Sequence, residues 1–486
     1  MKITTTLFLL SFLVLKPLAQ TQECPDLSID QESRFEMERT ITNRFFQVLN
    51  AGEKGMAIFS ATGEKKKGKE PWIYTRLDKD LGSIGSEEIM LDPGATVLGY
   101  EYFNSDFYLL IQPQEFNYSK LELLLLQEDG GFQKKGINTL FKSKVQQFTF
   151  LDDKVALLGK KNGKDQLFIK GINDQKTITL SSLAAPDAEI LDIMSSEDKG
   201  FLTALLRYKD NKREKSYFLK TYTSDGLLVS EFRIELNEDR RILDVVSSEY
   251  NGGEQWVFGT FTDRPGELSQ GFFAKKYFGG RQFETDYIYF HDLGNFFNFL
   301  SPKASDKMMQ RLDAGTKNKI DFYYDLQIGE VKTAENGEKW LSTNAKFPNQ
   351  YIRDENGARQ SVAHNLLLVF GNNGTQSQDY LFKLKNFLFP QWQKINLPGW
   401  DNPFVSYQLK SDKVTYQIHT DKLGTCEQKT TTIEPLTANE KQETPGLFAG
   451  RIRPWYENAA YAYGETEVVS QSGIKKVYYI QKLVFK

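Results

Sequence analysis

The sequence predicts an all-β fold, a β-propeller of seven or eight four-stranded blades with a short helical insertion. The first observation is a repeat. Ile190-Leu191-Asp192-Ile193-Met194-Ser195-Ser196-Glu197 returns as Ile242-Leu243-Asp244-Val245-Val246-Ser247-Ser248-Glu249, and each copy is followed by a polar turn and further strand-like runs. With weaker copies, unit starts fall near residues 45, 97, 146, 190 and 242, the spacing of propeller blades. The second observation is that apolar runs such as Leu123-Leu124-Leu125-Leu126 are continuous where a one-sided sheet would alternate. Sheets packed face to face bury both sides and call for such runs. The third is turn chemistry: Asp129-Gly130-Gly131, Lys161-Asn162-Gly163, Asp225-Gly226, Asn251-Gly252-Gly253 and Gly279-Gly280 supply residues that tolerate positive φ.

The N-terminus reads as a secretory signal peptide over residues 1–20. Lys2 provides the charged start, Leu7 to Leu15 an apolar run too short to span a bilayer, and Ala19 a small residue near a cleavage point within Ala19 to Gln22. Residues 21–33 read as a tail and 34–486 as the propeller. Glu23 ahead of Cys24 argues against lipidation, which needs a small residue there. Export places the two cysteines, Cys24 and Cys426, in an oxidising compartment, where an even pair is a candidate disulfide. No later stretch is apolar and long enough for a transmembrane helix. With 486 residues, 40% hydrophobic, 26% charged and a net charge of −3, the chain can bury a large core, and nothing marks it for nucleic acid.

Along the chain, the units read Phe45 to Leu49, Met56 to Ala61 and Trp72 to Leu77; Val97 to Tyr100, Phe107 to Gln112 and Leu121 to Leu126; then Val155 to Gly159 and Gln166 to Lys170. After Phe290 the rhythm breaks. Residues 291–321 form an insertion with the aromatic cluster Phe296, Phe297 and Phe299, and Ser305-Asp306 cap a helical turn or two from Lys307 to Leu312. Strands resume at Phe322 to Ile328, Glu338 to Ser342, His364 to Phe370 and Tyr380 to Leu384, with Asn344 to Ala363 expected as a loop. A seventh unit runs from Phe404 through His419 to Glu434, and a last set from Leu447 to Val484. The ending Tyr478 to Lys486 alternates as a closing strand does. Eight blades result if an N-terminal strand near Phe35 to Thr40 completes the last one, and seven otherwise; closure removes exposed sheet edges.

The repeats carry neither the Trp-Asp nor the kelch double-glycine pattern. Ser196-Glu197-Asp198-Lys199-Gly200 has the start of an Asp-box without its Thr-Trp ending, and a turn alone favours such residues. In its spaced repeats, long sixth unit and export signal, the chain resembles the uncharacterised exported β-propeller proteins of Bacteroidetes-type bacteria. The resemblance implies an envelope or secreted location: periplasm, cell surface or medium.

Catalysis has few carriers in the sequence. His291, His364 and His419 sit in different units without metal-ligand spacing, so no metal site and no cofactor are expected. Asp354-Glu355-Asn356-Gly357 begins like a calcium loop but lacks the distal Glu. There is no nucleophile elbow and no phosphate loop. Asp192 and Asp244 occupy equivalent repeat positions, which argues for structure over chemistry. The aromatic residues Phe296, Phe297, Trp392 and Trp400 are candidates for a ligand surface, with burial between blades as the alternative. The leading reading is a non-catalytic binding or scaffold protein of the bacterial cell envelope, engaging a protein or glycan through loops on one propeller face. The alternative is a carbohydrate-active hydrolase or lyase using carboxylates near the channel.

Overall fold

A computed structural model describes residues 24–486 apart from 40–44, 115–117, 128–130, 140, 142–143, 175, 181–187, 210–214, 238–239, 312–323, 335, 354–358, 374, 384–390, 397–403, 411–412, 421–423, 426–428, 434–440, 446–450 and 471–472. The strands form eight antiparallel sheets, six of four strands and two of five, arranged as an eight-bladed β-propeller. Blades one to five start at Phe45, Thr96, Gln147, Ala188 and Arg241, where the repeat placed them. Outer strands such as Ser83–Leu91 and Arg281–Tyr289 are largely exposed, while second strands such as Met56–Ala61 and Glu254–Thr262 are almost wholly buried. Continuous apolar runs therefore mark the strands sandwiched between neighbours.

The ring closes through the N-terminus. Ile29–Glu38 lies antiparallel on Gly473–Phe485, with Phe35 opposite Ile480, and completes blade eight. This strand begins inside the stretch expected as a tail, because Leu27 and Ile29 pack with Phe485 on the blade-seven core and draw the chain into register earlier. Lys482 is buried beneath it and makes ion pairs with Glu32 and Asp80, both at 2.9 Å, joining blades eight and one. Cys24 is disulfide-bonded; Cys426 lies outside the described residues.

First strands carry the repeat into three dimensions. Each of those in blades two, four and five has a register shift, between Val97 and Gly99, Ile190 and Asp192, and Ile242 and Asp244. Such bulges bend the strand and re-aim the side chain that follows. Asp244 then accepts a hydrogen bond at 3.0 Å from the Ile328 amide of blade six, as Gln147 of blade three does from Ile193 of blade four. The repeated aspartates are thus structural: Asp192, like Asp244, also accepts from the amide of its own next residue. Turn residues Asn162, Gly163, Gly226, Gly252, Gly253, Gly279 and Gly280 all have positive φ.

The insertion differs from expectation in detail. Phe290–Asp292 and Phe296–Phe299 form short 3-10 turns, and the α-helix spans Pro302–Arg311, beginning five residues earlier than expected, so that Ser305 and Asp306 lie within it and do not cap it. Proline suits a first helical position, and Ser301 takes the first backbone bonds on its carbonyl from Ala304 and Ser305. Asp379 of blade six clamps the insertion by accepting from the Gly294 and Asn295 amides at 2.9 and 2.7 Å. The expected loop 344–363 is instead largely a hairpin, Lys339–Arg353 against Arg359–Phe370, with Pro348 in the unpaired interval of the ladder where its missing N–H costs nothing.

A chain lacking residues up to Arg39 loses the outer strand of blade eight and leaves Gly473–Phe485 with an open edge. It is expected to elute in larger species than the full chain by size-exclusion chromatography with light scattering.

Candidate functional site

The turns between first and second strands gather on one face of the ring, around the mouth of the central channel. There Lys199, at positive φ in the Ser196–Gly200 turn of blade four, extends over blade three to Glu101 of blade two at 2.9 Å and to Ser195 Oγ at 2.8 Å. The Thr149 hydroxyl donates to Ser195 Oγ at 2.9 Å, and Glu101 accepts from the Phe150 amide. The turn is self-capped: Ser196 Oγ accepts from Phe201 N, and Asp198 accepts from Gly200 N. Its Asp-box-like residues hold a turn and, through Lys199, bind three blades at the mouth.

From this mouth a groove runs outward between blades five and six. Its main cleft encloses about 1180 Å³. Glu249 is shared between that cleft and a hollow at the channel mouth of about 480 Å³, which Tyr100, Tyr102 and Lys199 also line. Glu197 and Asn251 are shared with a side hollow of about 330 Å³, bounded by the tilted ring pair Phe201 and Tyr250. The walls thus combine aromatic faces with carboxylates and amides.

Strand pairing explains the groove wall. Glu254 lies opposite Phe278 and Trp256 opposite Lys276, and the period of two turns all four toward blade six. The Trp256 indole donates to Glu254 at 2.8 Å, and Lys276 bonds to the other oxygen of Glu254 while standing 5.3 Å from the indole centroid. Burial works against ionisation of Glu254, yet the bonds from Lys276 and the indole together hold its carboxyl below the usual range. Phe278 is 47% exposed. Lys339 enters from blade six; burial lowers its pKa, opposed by Glu254 and reinforced by Lys276. At the axial end, burial pushes the Glu249 carboxyl up, countered by Lys199 and reinforced by Glu197 and Glu101.

The residues singled out in the sequence fall elsewhere. Phe296 and Phe297 are buried in the core between blades five and six with Leu366 and Phe370, Phe296 stacked on Phe290 and Phe297 edge-on to Phe296; they take the places the burial alternative assigned to them. Trp392 lies in the first strand of blade seven, Gln391–Lys394, opposite Ser406, and not in an irregular segment. Trp400 and Asp354 to Gly357 lie outside the described residues. His291 stacks on Tyr289, His364 packs against Phe299, and His419 is buried with Ser406 at 2.8 Å. Among the described residues no three His, Cys, Asp or Glu side chains converge to hold a metal. The groove itself left a signal in the sequence: Gly253-Glu254-Gln255-Trp256 returns as Gly337-Glu338-Lys339-Trp340, and Trp340 also donates its indole N–H to the Glu two residues before it.

Fold and groove together define an eight-bladed β-propeller with an open cleft beside its channel. No protein-family model and no curated protein matches the chain. Among solved structures it is similar to the polysaccharide lyase Uly1, at 10% identity and a TM-score of 0.41, over 81% of this chain and 92% of that one. It is also similar to oligopeptidase B from Leishmania major, at 6% identity and a TM-score of 0.40 over 87% of this chain and 54% of that one, and to prolyl oligopeptidase B from Galerina marginata, at 10% and 0.41 over 90% and 56%. The chain spans about half the length of these two peptidases. Likeness at this level does not reach the side chains of the groove. No helix among the described residues is long and apolar enough to cross a membrane.

Burial drives the His419 imidazole down to about 3. It is neutral in the fold and takes up a proton near 6.5 once unfolded, so its contribution to stability is complete above that pH and is lost as pH falls from there toward 3. His419→Gln is expected to be less stable at pH 7, yet to lose roughly 3 kcal/mol less than the unaltered chain between pH 7 and pH 4. Denaturant unfolding at the two pH values measures both.

Proposed function

We propose that the protein is a non-catalytic binding protein of a bacterial cell envelope, exported by its N-terminal segment, and that it holds an extended glycan along the groove from channel mouth to rim. One observation carries this: the cleft and its side hollow share lining residues, and together they present aromatic faces (Phe201, Tyr250, Phe278) beside carboxylates and amides (Glu197, Asn251, Asn372). Sugar rings present apolar C–H faces to aromatic side chains and hydroxyls to polar ones, so a chain of sugars meets both kinds of group at each step.

A second reading, glycoside hydrolysis, draws on Glu249. A glycosidase needs one carboxyl kept protonated beside another that is ionised, and Glu249 is pushed up while Glu197 shares its wall of the cleft.

Titration calorimetry of the purified protein against a panel of envelope and extracellular oligosaccharides tests both readings. Binding is expected, and Phe278→Ala is expected to weaken it about tenfold, or about 1.4 kcal/mol, with an unchanged unfolding midpoint. Release of reducing ends that stops in Glu249→Gln would move the assignment to the hydrolase. Retention of a stoichiometric envelope protein, with no oligosaccharide bound, would replace the glycan by a protein partner.

A further inference from the structure

We propose that the rim-side half of the groove is a subsite for a carboxylate carried on a sugar ring, so that the glycan held there is a uronate-bearing chain. This deepens the glycan reading and rests on it.

The argument starts from two equivalent wedges of the ring. Between blades four and five, Gln255 reaches from blade five into blade four. Its amide nitrogen donates to Thr203 Oγ1 and Ser248 O, both at 3.1 Å, and its oxygen accepts from Thr221 at 3.3 Å. The Gln255 position is thus neutral and its amide fully bonded; farther along the same wedge the buried Lys275 donates to the Glu235 carbonyl at 2.9 Å. Between blades five and six the equivalent residue is Lys339, 9% exposed, whose ammonium donates to the Gly337 carbonyl at 3.0 Å. A carbonyl satisfies a donor without cancelling a charge.

Across the wedge stands Lys276, ion-paired to Glu254. Two ammonium groups therefore face one carboxylate, and Glu254 is the acid that acts on Lys339 while Lys276 opposes it. Near Lys339, Lys332 pairs with Glu330 at 3.0 Å; the cleft's remaining carboxylates, Glu197 and Glu249, belong to its axial end, where Glu249 also lines the hollow that holds Lys199. One positive charge is left over in a wall partly withdrawn from water, where an uncompensated charge is costly and an added anion is favoured. Beside it lies Phe278, its ring centroid 5.9 Å from the Lys276 ammonium and its face half-exposed. A pyranuronate has the matching shape, an apolar ring face to lie on the phenyl and a carboxylate at the ring edge to reach the ammonium groups.

The test is titration calorimetry of the full chain at low salt with oligogalacturonate and oligo-alginate, each beside its carboxyl-reduced neutral counterpart. The carboxylated forms are expected to bind at least about tenfold tighter, with a preference that shrinks as salt rises. Lys339→Gln, which installs the side chain of the neighbouring wedge, is expected to abolish the preference and, by removing the uncompensated charge, to raise the unfolding midpoint. Lys276→Gln is the second variant should the first fail to fold. Equal binding of carboxylated and reduced forms overturns the subsite and leaves the glycan groove standing. A preference that survives both substitutions overturns it as well. If no oligomer binds in either form, the glycan reading falls with it.

Discussion

Everything in this molecule depends on one strand pairing, that of Ile29–Glu38 with Gly473–Phe485. A blade cannot bury both of its faces alone; it needs a neighbour on each side, and only a closed ring gives every blade two. The closing strand joins residues more than four hundred positions apart in the sequence, so the loop-closure entropy is large and the seam is correspondingly reinforced. Arg34 lies over the Tyr479 ring, Gln481 donates to the Ser33 carbonyl, and Lys482 is buried against Glu32 and Asp80. With the seam closed, the first strands stand around the axis at fixed angles, and their turns meet at one mouth.

The repeat was legible because its residues do the same task in each blade. Asp192 and Asp244 follow a bulge, and Ser196 and Ser248 each accept from the backbone at the start of the next strand. Such tasks tolerate little variation, so they leave a pattern. The glycine turns were legible for the same reason, since positive φ narrows the choice of residue. What escaped was set by tertiary context. Nothing local in Asn344 to Ala363 distinguishes a long hairpin from a loop, because its pairing partner lies in the same polar stretch. The strand that carries Trp392 has only four residues, too few to show a period. Of the groove, Gly-Glu-x-Trp stood in the sequence twice, but only pairing shows which side of each blade its Glu and Trp face.

A ring of near-equal blades makes departures from equality informative. At the Gln255 position the wedge between blades four and five holds a neutral amide network, while the next wedge carries Lys339, Lys276 and Glu254 in the corresponding space. Charged residues in a wedge give up packing and desolvation energy that a glutamine or leucine would retain. No requirement of ring closure places a charge at this position, because the neighbouring wedge closes with a glutamine there.

The insertion supplies the other half of this asymmetry. Phe290, Phe296 and Phe297 belong to the same buried cluster as Trp256, and Trp256 also lines the groove. Phe296 and Phe297, two of the residues that the sequence offers as a ligand surface, therefore support that surface from beneath. Between them and the groove stands Trp256, its ring on the core and its indole N–H on Glu254, which fixes the carboxylate that Lys276 must reach. Asp379 anchors the insertion to blade six while Trp256 belongs to blade five, so the plug holds both walls of the wedge at once. A cleft that must keep an uncompensated charge partly out of water has to be held open by something rigid, and in this ring the insertion sits where that support is needed.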